Sequence, residues 1–235
     1  MGYLVFDIES APLPFDSFDP GRQEYLLRGC ETDEAREQQK RNMALNGLTG
    51  QVVCIGMVYA ETLEAEPKGY VYSSIPDGGQ GEETLPDGSL WRTMSEVEVL
   101  ARWWELLDRR GVELVSFNGR GFDAPFLMLR SASLGVRPSV NLMSGTRYRY
   151  DRHTDLQDEL AFYSWSAGIS PLKRFNLDFY CKAFGITSPK EEGVTGDQVP
   201  RLFSEGEHRT IAEYCVRDVF STWNLYRHWR KYLAF

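Results

Sequence analysis

Cysteine and histidine are scarce in this chain of 235 residues, which has four cysteines and three histidines. The cysteines form no CxxC pair and show none of the spacings typical of a zinc site. We therefore expect reduced thiols, most of them in the core, in a cytoplasmic protein. The cysteines are Cys30, Cys54, Cys181 and Cys215.

Long apolar runs and excess positive charge are missing as well. No run approaches the ~18 apolar residues of a membrane span, and no basic segment with a following apolar run begins the chain, so we expect neither a span nor a signal peptide. Acidic residues number 34 against 26 basic ones, and the formal net charge is -8. This balance excludes a broad nucleic-acid-coating surface, which needs excess lysine and arginine. It permits an enzyme that holds a few nucleotides through bound cations, because the cations supply positive charge.

The remaining composition is that of a globular protein, with 42% hydrophobic and 13% aromatic residues. The patterns predict a single α/β domain over 1–235, with one mixed sheet flanked by helices. The highly charged helix over 31–46 is a possible lid, partner surface or simply solvated helix. Predicted strands cover 3–9, 51–59, 68–75 and 112–117; helices cover 31–46, 95–110, 123–134, 171–184 and 209–232; loops cover 10–30 and 76–92.

The residues Phe6-Asp7-Ile8-Glu9 place two carboxylates two positions apart at the end of an apolar strand. Strand side chains alternate between faces, so Asp7 and Glu9 point the same way. Two like charges side by side repel each other, and they also lose solvation when they are buried. A cation between the two carboxylates would relieve both effects. The pair therefore indicates a metal site.

A third carboxylate, Asp123, follows the predicted strand over 112–117 and begins the next helix. Functional groups collect near strand ends in open α/β sheets, which makes Asp123 a candidate for the same site. Aspartate is also a favoured N-cap, and Pro125 fits the first helical turn. Taken alone, Asp123 is explained better by helix capping than by function.

Tyr214 and Asp218 are four positions apart in the last predicted helix and share a face. They lie along the edge of an apolar stripe, and a carboxylate at such a rim needs a partner. For Asp218 alone, the simpler partner is a base such as Arg217 or Arg109. The stripe consists of Ile211, Cys215, Val219 and Tyr226.

Considered together, the four acids favour a shared metal site over separate structural roles. Asp7, Glu9, Asp123 and Asp218 carry four negative charges, which two divalent cations would balance. Carboxylate oxygens suit hard ions such as Mg²⁺ and Mn²⁺. Sites with two ions about 3.5–4 Å apart stabilise the attacking and leaving oxygens of a phosphodiester displacement. The sequence therefore predicts two Mg²⁺ or Mn²⁺ ions bound by these four carboxylates.

The order and spacing of these motifs resemble those of DEDD-type 3′–5′ exonucleases of the ribonuclease H-like fold. All are close to the motifs in the proofreading domain of family-B DNA polymerases, and they span positions 6 to 218. Tyrosine stands four residues before the last aspartate, and Glu213 occupies the position of the histidine in the histidine form, so the chain resembles the tyrosine (DEDDy) subclass. The motifs are Phe6-Asp7-Ile8-Glu9, Asn118 with Phe122-Asp123 and Pro125, and Tyr214-Cys215-Val216-Arg217-Asp218.

The chain is more similar still to stand-alone bacterial-type exonucleases related to that polymerase domain. His153-Thr154-Asp155-Leu156 resembles their His-x-Asp-Leu segment, and Lys190 follows a Gly-Ile-x-x-Pro turn as a lysine does in them. The resemblance implies a ribonuclease H-like α/β fold. It also implies an exonuclease that degrades single-stranded nucleic acid from its 3′ ends to nucleoside 5′-monophosphates. DNA is favoured over RNA, with DNA repair as the expected setting, although both polymers share the scissile group.

The resemblance also implies how the acids divide the work. Asp7, Glu9 and Asp218 would hold the first cation, and Asp7 with Asp123 would fix the second. Tyr214 would hydrogen-bond the attacking water and orient it, because a phenol with a pKa of about 10 is a poor base at neutral pH.

Further residues are predicted to contact the nucleic-acid strand. Asn118 would touch the strand backbone or orient Asp123, and Phe122 would pack beneath the site or stack on a terminal base. Alternating arginine and tyrosine over 147–152 fits a surface that holds single strands, and equally an edge strand protected by charge. Lys190 is a candidate phosphate contact, although a solvated surface lysine is the simpler interpretation. The predicted contacts are Asn118, Phe122, Arg147, Arg149 and Lys190.

Two other functions stay open at this point. The first is a nuclease-like module that has lost catalysis and only binds nucleic acid or protein. Such modules usually lose a carboxylate, whereas this chain keeps all four and the tyrosine. The second is a ribonuclease H-like endonuclease, whose products would be internal fragments. The tyrosine motif favours the exonuclease over both.

Overall fold

A mixed β-sheet forms the centre of the molecule in this computed structural model, which describes residues 2–109, 111–146, 149–163, 174–187 and 194–234. Within these ranges the main sheet has seven strands, and β7 and β8 pair as a separate small hairpin. The strands are β1 (Tyr3–Pro12), β2 (Gly50–Ala60), β3 (Lys68–Ser74), β4 (Gly81–Thr84), β5 (Leu90–Met94), β6 (Glu113–Ser116), β7 (Gly145–Thr146), β8 (Arg149–Tyr150) and β9 (His153–Asp155).

The strand order of the main sheet is β4-β5-β3-β2-β1-β6-β9. β1 pairs antiparallel with β2 and parallel with β6, and β6 pairs parallel with β9. β1 therefore lies near the middle of the sheet, between two partners that come from distant parts of the chain. The predicted α/β class with a central mixed sheet is confirmed.

Helices cover both faces of the sheet. Leu4, Phe6 and Ile8 of β1 join the core under α3 and α4, whereas Val5 joins the core under α7 and α8. None of the helices in the described residues combines the length and apolarity needed to cross a membrane. The helices are α1 (Pro20–Leu26), α2 (Asp33–Asn42), α3 (Glu96–Arg109), α4 (Asp123–Ser133), α5 (Leu156–Leu160), α6 (Leu177–Ala183), α7 (Val199–Ser204) and α8 (His208–Tyr232).

Local sequence signals placed the long helices correctly. Helix α3 begins after Ser95 with a capping box, in which the Ser95 backbone N–H donates to the Glu98 carboxylate at 2.9 Å and the Glu98 backbone N–H donates to the Ser95 hydroxyl oxygen at 3.4 Å. This helix buries Leu100, Trp103 and Trp104, whereas Val97 is exposed. The predicted helices over 31–46 and 209–232 are confirmed as α2 and α8. A lid role for α2 stays a prediction.

Three predicted segments differ from the structure. The loop over 10–30 contains α1, which starts with Pro20 and is capped by the Asp19 carboxylate. The connection over 76–92 contains β4 and the start of β5. Strand β4 is a fully exposed edge strand, so it is recognised by its antiparallel pairing with β5 and not by an apolar pattern. The helix over 171–184 begins at Leu177 after an Asn176 cap, and residues 171–173 lie outside the described residues.

A buried ion pair fixes α4 against α3 and the sheet. The Arg130 guanidinium donates to both Glu96 carboxylate oxygens at 2.9 and 2.7 Å. Glu96 also accepts a hydrogen bond of 2.6 Å from the backbone N–H of Val52 in β2. Because removal of one partner of such a pair is costly, the contact holds α4 in place. Helix α4 begins with Asp123, so its orientation sets where that carboxylate lies.

Candidate active site

Asp7 and Glu9 lie on the face of β1 that α8 covers, opposite the face of Phe6 and Ile8. This follows from the alternation of strand side chains, as predicted. The pairing of β1 with β2 shifts register between Glu9 and Ser10. Such an irregularity bends a strand and redirects its side chains, and it occurs here next to the second carboxylate.

Helix α8 brings Tyr214 and Asp218 over the same region, one helical turn apart. Tyr214 is only 6% exposed, and its hydroxyl oxygen would lie 3.8 Å from a Cβ built on Gly196, so the turn at Gly196–Gln198 covers it. Burial, followed by the charges of Glu9, Asp218 and Asp7, raises the pKa of the Tyr214 phenol above its ordinary value. The phenol therefore stays protonated and is available as a hydrogen-bond donor.

Asp123 does not cap its own helix. The N-cap of α4 is Phe122, and the backbone N–H of Ile8 donates to Asp123 Oδ1 at 2.8 Å. Pairing between β1 and β6 ends at Val5, so the Ile8 N–H lies beyond the parallel ladder and has Asp123 as its acceptor. The preferred local explanation of Asp123 as a cap is therefore wrong. Its carboxylate instead joins α4 to β1 between Asp7 and Glu9.

The four predicted carboxylates influence one another electrostatically. Burial, and then the charges of Asp123 and Asp218, raise the pKa of Asp7 well above its ordinary value. Burial, followed by Asp7, Cys54, Asp218 and Asp123, raises the pKa of Glu9 in the same way. The pKa of Asp123 rises to about 7, mainly through burial, although its hydrogen bond with Ile8 opposes the rise. Acids from β1, α4 and α8 thus share one negative region.

This region fits divalent cations. Among the described residues, no lysine or arginine forms an ion pair with Asp7, Glu9 or Asp123. One ligand atom each of Asp7, Glu9 and Cys215 lies within 4.8 Å of the others, close enough to surround one ion. Carboxylate oxygens are the ligands that Mg²⁺ and Mn²⁺ prefer, and bound ions would offset the mutual repulsion of the acids.

Asp155, whose role the sequence left undefined, holds the turn that leads to Asp123. Its buried carboxylate accepts hydrogen bonds of 2.8 Å from the backbone N–H groups of both Asn118 and Arg120. Asn118 has a φ of 64°, a left-handed conformation that non-glycine residues rarely adopt without support. Burial raises the pKa of Asp155 to about 6. The carboxylate therefore stabilises the unusual turn just before α4.

Residues 88–233 match the model of a family described as predicted 3′–5′ exonucleases related to the exonuclease domain of PolB. The chain belongs to this family. The matched residues of this PolB-related exonuclease family contain Asp123, Tyr214 and Asp218, whereas Asp7 and Glu9 precede them. The chain is also 30% identical over 141 residues to an uncharacterized protein of Methanocaldococcus jannaschii, covering 57% of this chain and 73% of that protein.

Two solved structures show the ribonuclease H-like exonuclease fold of this PolB-related chain. A family B DNA polymerase from the hyperthermophilic archaeon Pyrobaculum calidifontis aligns with 97% of the chain at a TM-score of 0.61 and 17% identity. Exonuclease I, in its apo form, aligns with 98% at a TM-score of 0.52 and 13% identity. The chain spans 24% of the polymerase and 42% of exonuclease I, and at these identities the likeness shows the fold alone.

The predicted substrate contacts of this PolB-related exonuclease are only partly visible. Asn118 and Phe122 lie in the turn that precedes Asp123, and the Phe122 ring packs against Phe126 with centroids 5.6 Å apart. This contact agrees with the packing interpretation of Phe122. Arg149 belongs to β8, but its side chain is outside the described part, as are Arg147 and Lys190 entirely. Contacts of these three residues with substrate stay predictions.

His153 lies on the opposite face of the sheet from the acids. Its Nε2 is 2.7 Å from the Ser116 hydroxyl oxygen, and its ring lies against Phe6 with centroids 5.6 Å apart. Burial lowers the pKa of His153 to about 3, so the ring is neutral at physiological pH. Its contacts are those of a packing residue that supports β6 and β1. Its sequence partner Asp155 has the more direct link to the site.

Sequence reasoning missed the thiols near the acids. Cys215 is adjacent to Tyr214 in the third motif, and it was assigned only to the apolar stripe of the helix. In the structure its hydrogen bond with the thiol of Cys54, together with burial, raises the pKa of Cys215 well above its ordinary value. Both cysteines are fully buried. No local pattern links Cys54 with Cys215, because they lie on elements far apart in sequence.

Proposed function

We propose that this chain is a metal-dependent 3′–5′ exonuclease. It removes nucleoside 5′-monophosphates from the 3′ ends of single-stranded nucleic acid, with DNA favoured over RNA, and acts as one domain over 1–235. The observation that carries the proposal is that the charges of Asp123 and Asp218 act on both Asp7 and Glu9 in the middle of β1. Membership of the PolB-related exonuclease family supports a nuclease function.

The acids would hold two divalent cations, Mg²⁺ or Mn²⁺. Asp7, Glu9 and Asp218 would hold one ion, and Asp7 with Asp123 the other. Such ions, when bound, lower the pKa of a coordinated water and neutralise charge on the phosphate and on the leaving 3′-oxygen. Burial and the charges of the neighbouring acids raise the pKa values of Asp7 and Glu9, and a bound cation would offset both effects because it favours the ionised forms.

Tyr214 would position the attacking water. Burial, followed by the negative charges of Glu9, Asp218 and Asp7, raises the pKa of its phenol, which therefore stays protonated and is unsuited to accept a proton. A donor held in this way orients a water molecule in line with the phosphorus, and correct orientation lowers the barrier without any transfer of a proton to the tyrosine. The proton of the water then passes to solvent or to a carboxylate.

The turn before Asp123 would meet the substrate. Asn118, whose backbone N–H donates to Asp155, would contact the terminal phosphate or sugar through its side chain. Phe122 supports the turn from below through its packing on Phe126. We keep Arg147, Arg149 and Lys190 as proposed contacts with the strand backbone, because positive side chains would offset the phosphate charge.

A digestion experiment tests the function. Matched DNA and RNA oligonucleotides with a 5′ label are incubated with the full chain and chelator, Mg²⁺ or Mn²⁺. We expect a ladder shortened one nucleotide at a time from the 3′ end, dependent on the cation and faster on DNA. Internal fragments would indicate an endonuclease. Strand binding without any product at either cation would indicate a binding module.

A matched pair of variants makes the test specific. Asp218→Asn removes one ligand charge at the site, so the ladder should disappear at every cation concentration. Asp197→Asn changes an exposed aspartate in the turn near Tyr214 and should leave the ladder unchanged. A ladder of equal intensity from both variants would contradict the role of Asp218.

A further inference from the structure

Two thiols lie beside the two carboxylates of β1. In the register of β1 with β2, Asp7 is paired with Gly56 and Glu9 with Cys54, so each pair shares one face of the sheet. A Cβ built on Gly56 would lie 2.7 Å from Cys215 Sγ. Glycine therefore leaves the space into which α8 places its thiol. As a result, Cys215 lies next to Asp7, and Cys54 lies next to Glu9.

The distances bring sulfur and oxygen donors within reach of one ion. Ligand atoms of Asp7, Glu9 and Cys215 lie within 4.8 Å of one another. Cys215 Sγ is also 3.8 Å from the backbone carbonyl oxygen of Asp7, and its thiol is hydrogen-bonded with Cys54. Glu9, Cys54 and Cys215 are all buried. The donor set therefore contains two carboxylates, the Cys215 thiol and, in contact with that thiol, Cys54.

Sulfur changes which ions the site prefers. Mg²⁺ demands octahedral oxygen coordination and does not use thiolate ligands. Zn²⁺ and similar soft ions bind thiolate and carboxylate together, commonly with four ligands. We propose that Asp7, Glu9 and Cys215 form a site for a thiophilic divalent cation such as Zn²⁺ or Cd²⁺, with Cys54 as the adjacent thiol.

Binding would replace the thiol proton of Cys215. The sulfur–hydrogen bond breaks, a metal–sulfur bond forms, and the proton leaves to solvent, so no oxidant or reductant is involved. The site shares Asp7 and Glu9 with the proposed nuclease centre, but it requires no nucleic acid and no cleavage. In an active nuclease, the thiophilic ion would exclude Mg²⁺ from these two carboxylates and inhibit hydrolysis.

Cadmium titration of the metal-free chain, without nucleic acid, tests the site directly. The experiment uses a Cys30→Ser background, because Cys30 is the partly accessible thiol among the cysteines. We expect a saturable ultraviolet charge-transfer band from sulfur to cadmium. Cys215→Ser should abolish the band. Cys181→Ser, which changes another fully buried thiol, should keep it.

Several outcomes would overturn the site: no band on cadmium binding, a band that survives Cys215→Ser, or a band lost in Cys181→Ser. If Cys215→Ser does not fold, ¹¹³Cd NMR of the Cys30→Ser protein tests the site instead. A sulfur ligand deshields cadmium strongly, so a chemical shift typical of oxygen ligands alone would contradict the proposal.

The proposed thiophilic site and the proposed nuclease function can fail separately. Mn²⁺-dependent cleavage without a band contradicts only this site, and a band without cleavage contradicts only the nuclease function.

Discussion

The Asp123 carboxylate makes a long-range hydrogen bond instead of capping its own helix. Aspartate before a helix is expected to cap it, yet this carboxylate accepts from Ile8, which is 115 residues away in sequence. The contact joins the start of α4 to the strand that carries Asp7 and Glu9. Its raised pKa of about 7 reflects burial among other acids rather than helix capping. The sequence therefore predicts an acidic side chain at position 123 as a candidate for the site, but not that its hydrogen-bond partner is the Ile8 N–H.

Asp123→Asn tests the role of this carboxylate. Asparagine keeps an oxygen that accepts from the Ile8 N–H, so the free energy of unfolding should change little. One negative charge is lost, and we expect kcat for oligonucleotide cleavage to fall roughly 100-fold or more. Asp33→Asn, which changes an exposed aspartate in the first turn of α2, is the control and should keep wild-type kcat. Wild-type cleavage by Asp123→Asn would remove Asp123 from the site.

Tyr214→Phe separates water orientation from metal binding. The variant loses only the phenol hydroxyl, so kcat should fall about 10- to 100-fold because the attacking water is less well oriented. The Mn²⁺ concentration for half-maximal activity should stay unchanged. Steady-state kinetics at several Mn²⁺ concentrations measures both. Tyr226→Phe removes a second buried phenol hydroxyl from the same helix and should leave kcat intact. A changed Mn²⁺ requirement with normal kcat would contradict the assignment.

At the scale of elements, the turn between β6 and α4 depends on a residue from β9. Asp155 lies at the end of β9 and also caps α5 by accepting from the Gln157 N–H at 3.1 Å. The same carboxylate holds the Asn118 and Arg120 backbone. One buried acid therefore connects two parallel strands with the starts of two helices. The Arg120 guanidinium extends the connection to the backbone carbonyls of Leu142 and Ser144, both at 2.9 Å.

Asp155→Ala should disturb this turn and, through it, the nuclease. Three backbone N–H groups, those of Asn118, Arg120 and Gln157, lose their acceptor, which we expect to lower the free energy of unfolding by about 2–4 kcal/mol. Activity should fall at temperatures where the protein is still folded, because Asp123 is no longer held at the correct position. Urea denaturation and kcat measure the two effects. Asp151→Ala, an exposed aspartate nearby, should cost about 0.5 kcal/mol or less. Equal stability of both variants would contradict this role.

Elements with strong local signals were predictable, and those defined by pairing were not. Helix α3 has a capping box at Ser95 and Glu98, and α8 has a continuous apolar stripe. Strand β4, in contrast, is exposed along its whole length and contains glycine and glutamates, so only its antiparallel pairing with β5 defines it. Helix α1 is seven residues long and has no buried residue, which leaves no periodic pattern to detect.

At the scale of the whole molecule, the site requires contacts that no local pattern specifies. The Cys215 thiol meets the Asp7 carbonyl across 208 residues, and Asp123 meets Ile8 across 115. The sequence predicts the four acids as metal ligands, and the resemblance to exonucleases implies that they share one site. The neighbouring thiols were missed because their contact depends on Gly56 in β2.

The buried acids predict how stability depends on pH without metal. Unfolded carboxyl groups have pKa values of about 4, whereas the folded pKa of Asp123 is about 7 and those of Asp7 and Glu9 are raised well above normal. Above pH about 6.5, the folded state therefore binds more protons than the unfolded state, and its stability falls as pH rises. We expect the melting temperature of chelated protein to decrease from pH about 6.5 to about 8.

Controls isolate the groups responsible. Glu9→Gln removes one of these acids and should flatten the decrease. His153, with a folded pKa of about 3, acts in the opposite direction, but only below its unfolded pKa of about 6.5. His153→Gln should therefore leave the slope above that pH unchanged. Saturating Mn²⁺ should restore the melting temperature at pH about 8 by binding the folded state alone. A melting temperature that rises with pH and does not change when Mn²⁺ is added would contradict the presence of buried acids that bind cations.

The central claim is that acids from three elements of the fold hold two divalent cations. Crystals of the full chain soaked with Mn²⁺, measured at a wavelength where manganese scatters anomalously, test it most directly. We expect two anomalous peaks about 3.5–4 Å apart, one bounded by Asp7, Glu9 and Asp218 and the other by Asp7 and Asp123. Peaks elsewhere in the molecule, or none between these carboxylates at saturating Mn²⁺, would contradict it.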